Sequence, residues 1–218
     1  MPRHFEIELD RLRTNIIKMG SLVDEQIELA LKALLETNVT LAQFVIDRDQ
    51  RVDEFDNQID TQCERIFALT QPVAIDLRLI MSALKINNEL ERIGDIAVNI
   101  AERVEPIRER PDLVRLVPLA DMATQARLMV KQAIDSFINN DPSLARDILL
   151  QDDKVDNLDR EIFRQLVAYM KNDPDSIEPA SHIMILSRHL ERLADHATNI
   201  AEDVIFLVDA KIIKHHAQ

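Results

Sequence analysis

Carboxylates four residues apart recur at four places in this chain: Asp49 with Asp53, Glu91 with Asp95, Asp152 with Asp156, and Glu191 with Asp195. Residues i and i+4 of a helix share a face, so each pair sets two anionic groups side by side. Like charges at that spacing repel. Asp is also a poor choice for a helix interior, where Glu costs less. A sequence that makes this choice four times implies compensation. A hard or borderline cation supplies it: Ca, Mg, Mn and Fe take carboxylate oxygens readily, and Zn accepts them. A solvated acidic face is the plain alternative.

The pairs belong to a duplication. "LERIGDIAVNIAERV" from Leu90 and "LERLADHATNIAEDV" from Leu190 agree at ten of fifteen positions. "DRDQRVDEFDNQI" (Asp47 to Ile59) likewise matches "LQDDKVDNLDREI" (Leu150 to Ile162). At 100° per residue, Asp95, Asn99 and Glu102 fall within about 80° of Glu91, while Leu90, Ile93, Ala97 and Ile100 lie on the far side. The carboxylates are therefore expected to face away from the apolar seam, as are Glu191, Asp195, Asn199 and Glu202. Asp49, Asp53, Asp56 and Asp60 lie within about 60° of one another and flank the core, and Asp152, Asp156 and Asp159 repeat them. If the two stripes of each half line one groove, four to six carboxylates and an Asn would hold one metal ion or a small cluster near the surface. Asn99, Asn199, Asp56, Asp159, Glu102 and Glu202 are the additional candidates.

The elements that must carry these residues are six long amphipathic helices, marked by apolar residues at three- and four-residue spacing. The first runs from about Phe5 to Leu35 and stops at "ETN". The second reaches about Leu69, and Thr70 with Pro72 suits the start of the third, which runs to the Pro106–Pro111 region. The fourth covers roughly Asp112 to Asn139. "NDP" (Asn140 to Pro142) then reads as a cap with Pro at the first helical position of the fifth, which reaches about Lys171. "NDPDSIEP" is a turn, and the sixth runs from about Ser181 past Val208. The basic "KIIKHH" suits a helix C-terminus. The expected fold is all-α: two tandem, internally repeated antiparallel three-helix bundles, residues 1–108 and 109–218.

Composition narrows the function. The 218 residues carry a net charge of −13, which opposes non-specific binding of nucleic acid. Cys63 is the one cysteine and forms no internal disulfide. The N-terminus has no apolar signal core, and no stretch approaches the ~20 apolar residues of a membrane span. A soluble, cytoplasmic protein is the expectation. Two glycines build no G-x-x-x-x-G-K phosphate loop, and no repeated Ser/His/Asp or Cys/His set is present. The Glu-x-x-His of a ferritin-like di-iron site is missing too. His196 stands opposite Ile96 in the other copy, so it is outside the repeated set; His182 and His189 read as ordinary polar or packing residues. Arg92 and Arg192 read as ion-pair partners. Gly94, opposite Ala194, implies that a small residue is needed there.

Through "LERIGDIAVNIAE", "LERLADHATNIAE", "PVAIDLRLIMSALKINNELERIGD" and "LRTNIIKMGSLVDEQIELALKAL", the chain resembles the PhoU family, the accessory regulators of the phosphate-specific transport system. The resemblance covers essentially the whole chain. It implies two similar three-helix bundles side by side, with metal clusters held by E(D)-x-x-x-D motifs on the second and third helix of each. Here those motifs are Asp49 with Asp53, Glu91 with Asp95, Asp152 with Asp156, and Glu191 with Asp195. The metals implied are divalent or trivalent ions, singly or as multinuclear clusters, with Fe, Zn, Mn, Mg and Ca all open. It further implies a non-enzymatic negative regulator of the phosphate-starvation response, linking the phosphate ABC transporter ATPase to a sensor histidine kinase. A homodimer, peripheral to the cytoplasmic face of the membrane, is expected. The second copy lacks the "DLR" of Asp76 to Arg78 and has Ala194 for Gly94 and His196 for Ile96, so its site is expected to bind differently. A carboxylate-bridged metal phosphohydrolase and a metal-free helical scaffold are the competing readings.

Overall fold

The computed structural model describes residues 2–213, so Lys214, His215 and His216 of the basic tail lie outside the described residues. Every long element is helical, and no strand occurs among the described residues. Helix α1 spans Pro2–Glu36, α2 Val39–Arg48, α3 Gln50–Leu69, α4 Ile75–Glu102 and the short α5 Val104–Ile107. The second half has α6 Pro111–Leu116, α7 Leu119–Asn139, α8 Pro142–Leu149, α9 Asp152–Asn172, a 3₁₀ turn at Pro174–Ser176 and α10 Ile177–Asp209.

The first corner of each half is built alike. Thr37 (φ 50°) and Asn140 (φ 49°) take the left-handed conformation at a helix C-terminus. The next amides close back on the helix: Asn38 N donates to Ala33 O at 2.8 Å and Asp141 N to Ser136 O at 2.8 Å. Asn38 and Asp141 then cap the following helix. Asn38 Oδ1 accepts from Leu41 N at 3.0 Å, and Asp141 Oδ1 accepts from Ser143 N and Leu144 N at 2.9 and 3.1 Å.

Several expected boundaries differ. The second and fifth helices are each bent into two, at Asp49 and at Leu150–Gln151. The hydrogen bonds tighten there to i→i−3 type, Asp49 N to Ile46 O at 3.3 Å and Gln151 N to Ile148 O at 2.9 Å. The fourth is interrupted by extended Val117 before Pro118, since a residue preceding proline is pushed out of the helical region. Thr70 ends α3 rather than starting α4: its Oγ1 donates to Ile66 O at 2.7 Å, and α4 begins five residues later after Ala74 (φ 45°).

In the first half α1 packs on α2, α3 and α4; in the second α10 packs on α7, α8 and α9. The halves meet where α4 lies on α10 and α1 on α7, and the buried apolar side chains of both form one contiguous core. Ile93, Ala97 and Ile100 of α4 and Leu193, Ala197 and Ile200 of α10 are buried in it, as periodicity requires. The α4–α10 seam also carries polar ties. Lys85 Nζ lies 2.7 Å from Asp203 Oδ1, and His196 Nδ1 lies 2.6 Å from Glu89 Oε2.

Candidate metal centre

The bend in each second helix decides where the Asp pairs stand. Asp49 is the hinge residue between α2 and α3, and Asp53 lies in the first turn of α3. Asp152 begins α9 and Asp156 follows one turn later. Asp is therefore not wasted in a helix interior at Asp49 and Asp152, as continuous helices would imply. It occupies N-terminal turns, where the backbone dipole favours negative charge.

In the first half, Asp49, Asp53, Asp56, Glu91 and Asp95 share one electrostatic neighbourhood. Burial lifts the Asp49 carboxyl above the ordinary range, and the Asp53 and Asp95 charges add to it, against a hydrogen bond from Gln26. Burial also lifts Glu91, with Asp95, Asp56 and Asp53 adding and Arg92 opposing. Asp56 is raised by burial, then by Asp60 and Asp53, while Asn87 opposes. The carboxylates of α3 and α4 thus feel one another's charge across the groove between these helices. The two glutamates depart from an outward-facing stripe, the Glu91 side chain being only 24% exposed and that of Glu191 16%, while Asp95 and Asp156 keep 46% and 43%.

Buried amides support this groove. Gln26 Nε2 donates to Asp49 Oδ1 at 2.6 Å. Asn87 Nδ2 donates to Asp56 Oδ1 at 2.7 Å, to Asp56 O at 3.2 Å and to Asp60 Oδ1 at 3.1 Å. Gln26 is 0% exposed and Asn87 1%, yet Gln26 Oε1 and Asn87 Oδ1 have no hydrogen-bond partner. Gly94 completes the cradle. A Cβ at Gly94 would stand 3.1 Å from Val52 Cγ1 and 3.4 Å from Asp49 Oδ1.

In the second half, Asp156, Asp159, Glu191 and Asp195 couple in the same way. Burial, then Asp195, pushes the Glu191 carboxyl up to about 7, with Asp159 and Asp156 adding to it. Burial and then Asp156 raise Asp195. Ser187 stands where Asn87 does in the first half, and its Oγ donates to Asp159 Oδ1 at 2.7 Å. Glu191 Oε2 is buried with no hydrogen-bond partner. Glutamines and a lysine join at this bend: Gln125 Nε2 donates to Gln151 Oε1 at 2.9 Å, Gln151 Nε2 to Gln132 Oε1 at 2.9 Å, and Lys154 Nζ to Gln125 Oε1 at 2.7 Å.

Among the described residues, no three Asp, Glu, His or Cys side chains converge tightly enough here to chelate an ion. The donor set nevertheless suits a hard cation. It is made only of oxygens, and burial first, then mutual repulsion, raises its carboxyls.

The additional candidates separate. Asp56 and Asp159 join the grooves. Asn99 turns back on its own helix, donating to Asp95 O at 2.9 Å. Asn199 faces the other half, donating to Glu89 Oε2 at 3.1 Å, and Glu202 lines the same inter-helix groove of about 440 Å³ with Lys85, His196 and Asp203. Glu102 is exposed at the end of α4. His196 is thus a tie between the halves, which comparing the copies alone leaves out. Arg92 sits 3.5 Å from Glu91 and 3.8 Å from Asp95, an ion pair as expected.

Comparison with known proteins follows the same division. A family model described as PhoU domain matches residues 16–104 and again 119–204. The chain is 42% identical over 208 residues to a phosphate-specific transport system accessory protein PhoU homolog of Aquifex aeolicus (strain VF5), covering 95% of this chain and 94% of the relative. It is 39% identical over 214 residues to the homolog of the same description from Pseudomonas putida, covering 98% and 84%. PhoU from Pseudomonas aeruginosa superposes with a TM-score of 0.89 at 38% identity, covering 95% of this chain and all of that one. The phosphate transport system regulatory protein PhoU from Streptococcus pneumoniae gives 0.88 at 27% identity, covering 96% and 99%.

Proposed function

The chain belongs to the PhoU family, and on that footing we propose that it is a non-enzymatic accessory regulator of phosphate uptake and of the phosphate-starvation response. The observation that carries the reading is the near-complete match: both copies of the family unit, and relatives named as accessory or regulatory proteins across almost the whole chain. In this reading the protein is a cytoplasmic homodimer that meets the phosphate ABC transporter ATPase and a sensor histidine kinase. No described helix is long and apolar enough to cross a membrane, which agrees with a peripheral position.

The reading includes metal ions in the carboxylate grooves. Asp49, Asp53, Asp56, Glu91 and Asp95 would hold the first, and Asp152, Asp156, Asp159, Glu191 and Asp195 the second. Bound there, a cation neutralises the clustered negative charge and cross-links the second and third helices of a bundle. Gln26 and Asn87 fix the orientation of Asp49 and Asp56. Gly94 keeps the approach to Asp49 open.

Deleting the gene in its host is expected to derepress phosphate-starvation genes in high phosphate. Unchanged repression, with any second copy also removed, would overturn the regulatory reading. For the metal, elemental analysis of protein purified without chelator is compared with an Asp49→Asn, Asp53→Asn, Glu91→Gln, Asp95→Asn variant. Equal metal content would remove the first groove as a site.

A further inference from the structure

We propose that Arg188 is a tethered counter-cation of the second carboxylate groove, so that a divalent metal ion binds this chain unequally, the first groove ahead of the second. The inference rests on the metal reading above but does not follow from it, since the four Asp/Glu pairs are present in both copies.

Arg188 stands where the first copy has Asn88. Its Nη1 lies 3.2 Å from Asp159 Oδ2 on α9 and 3.3 Å from Glu191 Oε1 on α10. One guanidinium nitrogen thus bridges the two helices between which a metal would sit. Asp159 is held ready for it, because Ser187 Oγ anchors its other oxygen at 2.7 Å.

The first groove is built differently. Asn88 is exposed and lines the groove between α4 and α10 instead. Arg92 reaches only Glu91 and Asp95 of its own helix, at 3.5 and 3.8 Å. No ion pair joining α3 to α4 occurs among the described residues that the salt bridges involve. The oxygens Gln26 Oε1 and Asn87 Oδ1 are buried there without donors. In the second copy the position of Asn87 is taken by Ser187, whose hydroxyl is committed to Asp159 Oδ1 and, at 3.0 Å, to Met184 O. Each groove thus has a buried oxygen without a donor, Glu191 Oε2 in the second, but only the second has a positive charge already seated between its two helices.

Arg188 is 63% exposed, so it competes rather than blocks. A metal entering the second groove must displace two ion pairs that are exposed at their Arg188 end and therefore screened, and together they lower its apparent affinity by roughly three- to tenfold.

The test is Mn²⁺ titration of the full chain, stripped with EDTA and followed by calorimetry and by electron paramagnetic resonance of the free ion. Wild type is expected to show a tighter class, removed by Asp49→Asn with Glu91→Gln, and a weaker class, removed by Asp156→Asn with Glu191→Gln. Arg188→Asn strengthens the weaker class three- to tenfold, Arg188→Lys leaves it weak, and Asn88→Arg weakens the tighter class. Thermal melts of each variant check the fold. Equal affinity in both grooves, or no change in Arg188→Asn, overturns the inference alone. No Mn²⁺ bound at either groove overturns it together with the metal reading.

Discussion

Asn87 and Asp56 are tied twice: one amide nitrogen donates to the carboxylate at 2.7 Å and to the backbone carbonyl at 3.2 Å of the same residue. The tie runs from the middle of α4 to the middle of α3 across a buried face. It fixes side chain and backbone together, and a third bond, to Asp60 at 3.1 Å, extends it one turn. Ser187 makes the corresponding contact in the second half through a single hydroxyl.

Replacing Asn87 with Ala removes two hydrogen bonds to carboxylates and leaves those acceptors on a half-buried face. Such bonds contribute about 1.5–3 kcal/mol each to charged partners, so a loss of about 3 kcal/mol is expected in urea unfolding. Ser187→Ala removes one, with a loss of about 1.5 kcal/mol. Losses of equal size would show that the two copies anchor their aspartates with equal strength.

Glu191 gives the chain a pH dependence. Its folded pKa, about 7, stands above the ordinary 4.5, so the folded protein holds this proton more tightly than the unfolded chain. Its stabilising contribution is complete below pH 4.5 and is lost as pH rises through about 7. In metal-free buffer, Glu191→Gln is expected to melt like wild type near pH 4.5. Near pH 8 it is expected to gain about 2 kcal/mol, or roughly 4–8 °C. A gain of the same size at both pH values would contradict the assignment.

Gly94→Ala sets helix propensity against space. An Ala in mid-helix is worth up to about 1 kcal/mol over Gly, but its Cβ would press on Val52 and Asp49 at 3.1 and 3.4 Å. Stability is expected to change by less than about 1 kcal/mol, while Mn²⁺ affinity of the first groove falls because Val52, between Asp49 and Asp53, must give way. Unchanged affinity would mean that the groove has more room than the contacts allow.

Glu89 and His196 join the two halves, and their coupling is measurable. A double-mutant cycle of Glu89→Ala with His196→Ala is expected to give about 1 kcal/mol of interaction. Zero coupling would leave the seam to its apolar contacts and to Lys85 with Asp203.

The helices were legible because each carries an unbroken apolar period and buries the face that period marks. The grooves were legible because duplication repeats both carboxylate pairs at matching places. The bends at Asp49 and Gln151 were not, since the apolar pattern of Val45, Val52 and Ile59 runs through the first of them without a Gly or Pro. The Glu89–His196 tie was hidden for a different reason: it joins residues 107 apart and has no copy, so comparing the repeats discards it. Arg188 was hidden because it replaces Asn88 of the first copy, and so falls outside the residues that the two copies share.

The bend at Asp49 makes α2 a lever with its fulcrum on the first residue of the carboxylate set. Ten residues extend about 15 Å, so a tilt of 5° moves the far end by roughly 1 Å. The end at Asn38 is exposed, and Phe44, midway along the same helix, is 52% exposed. Asp49 thus carries both the first carboxylate of the set and the angle at which α2 meets α3.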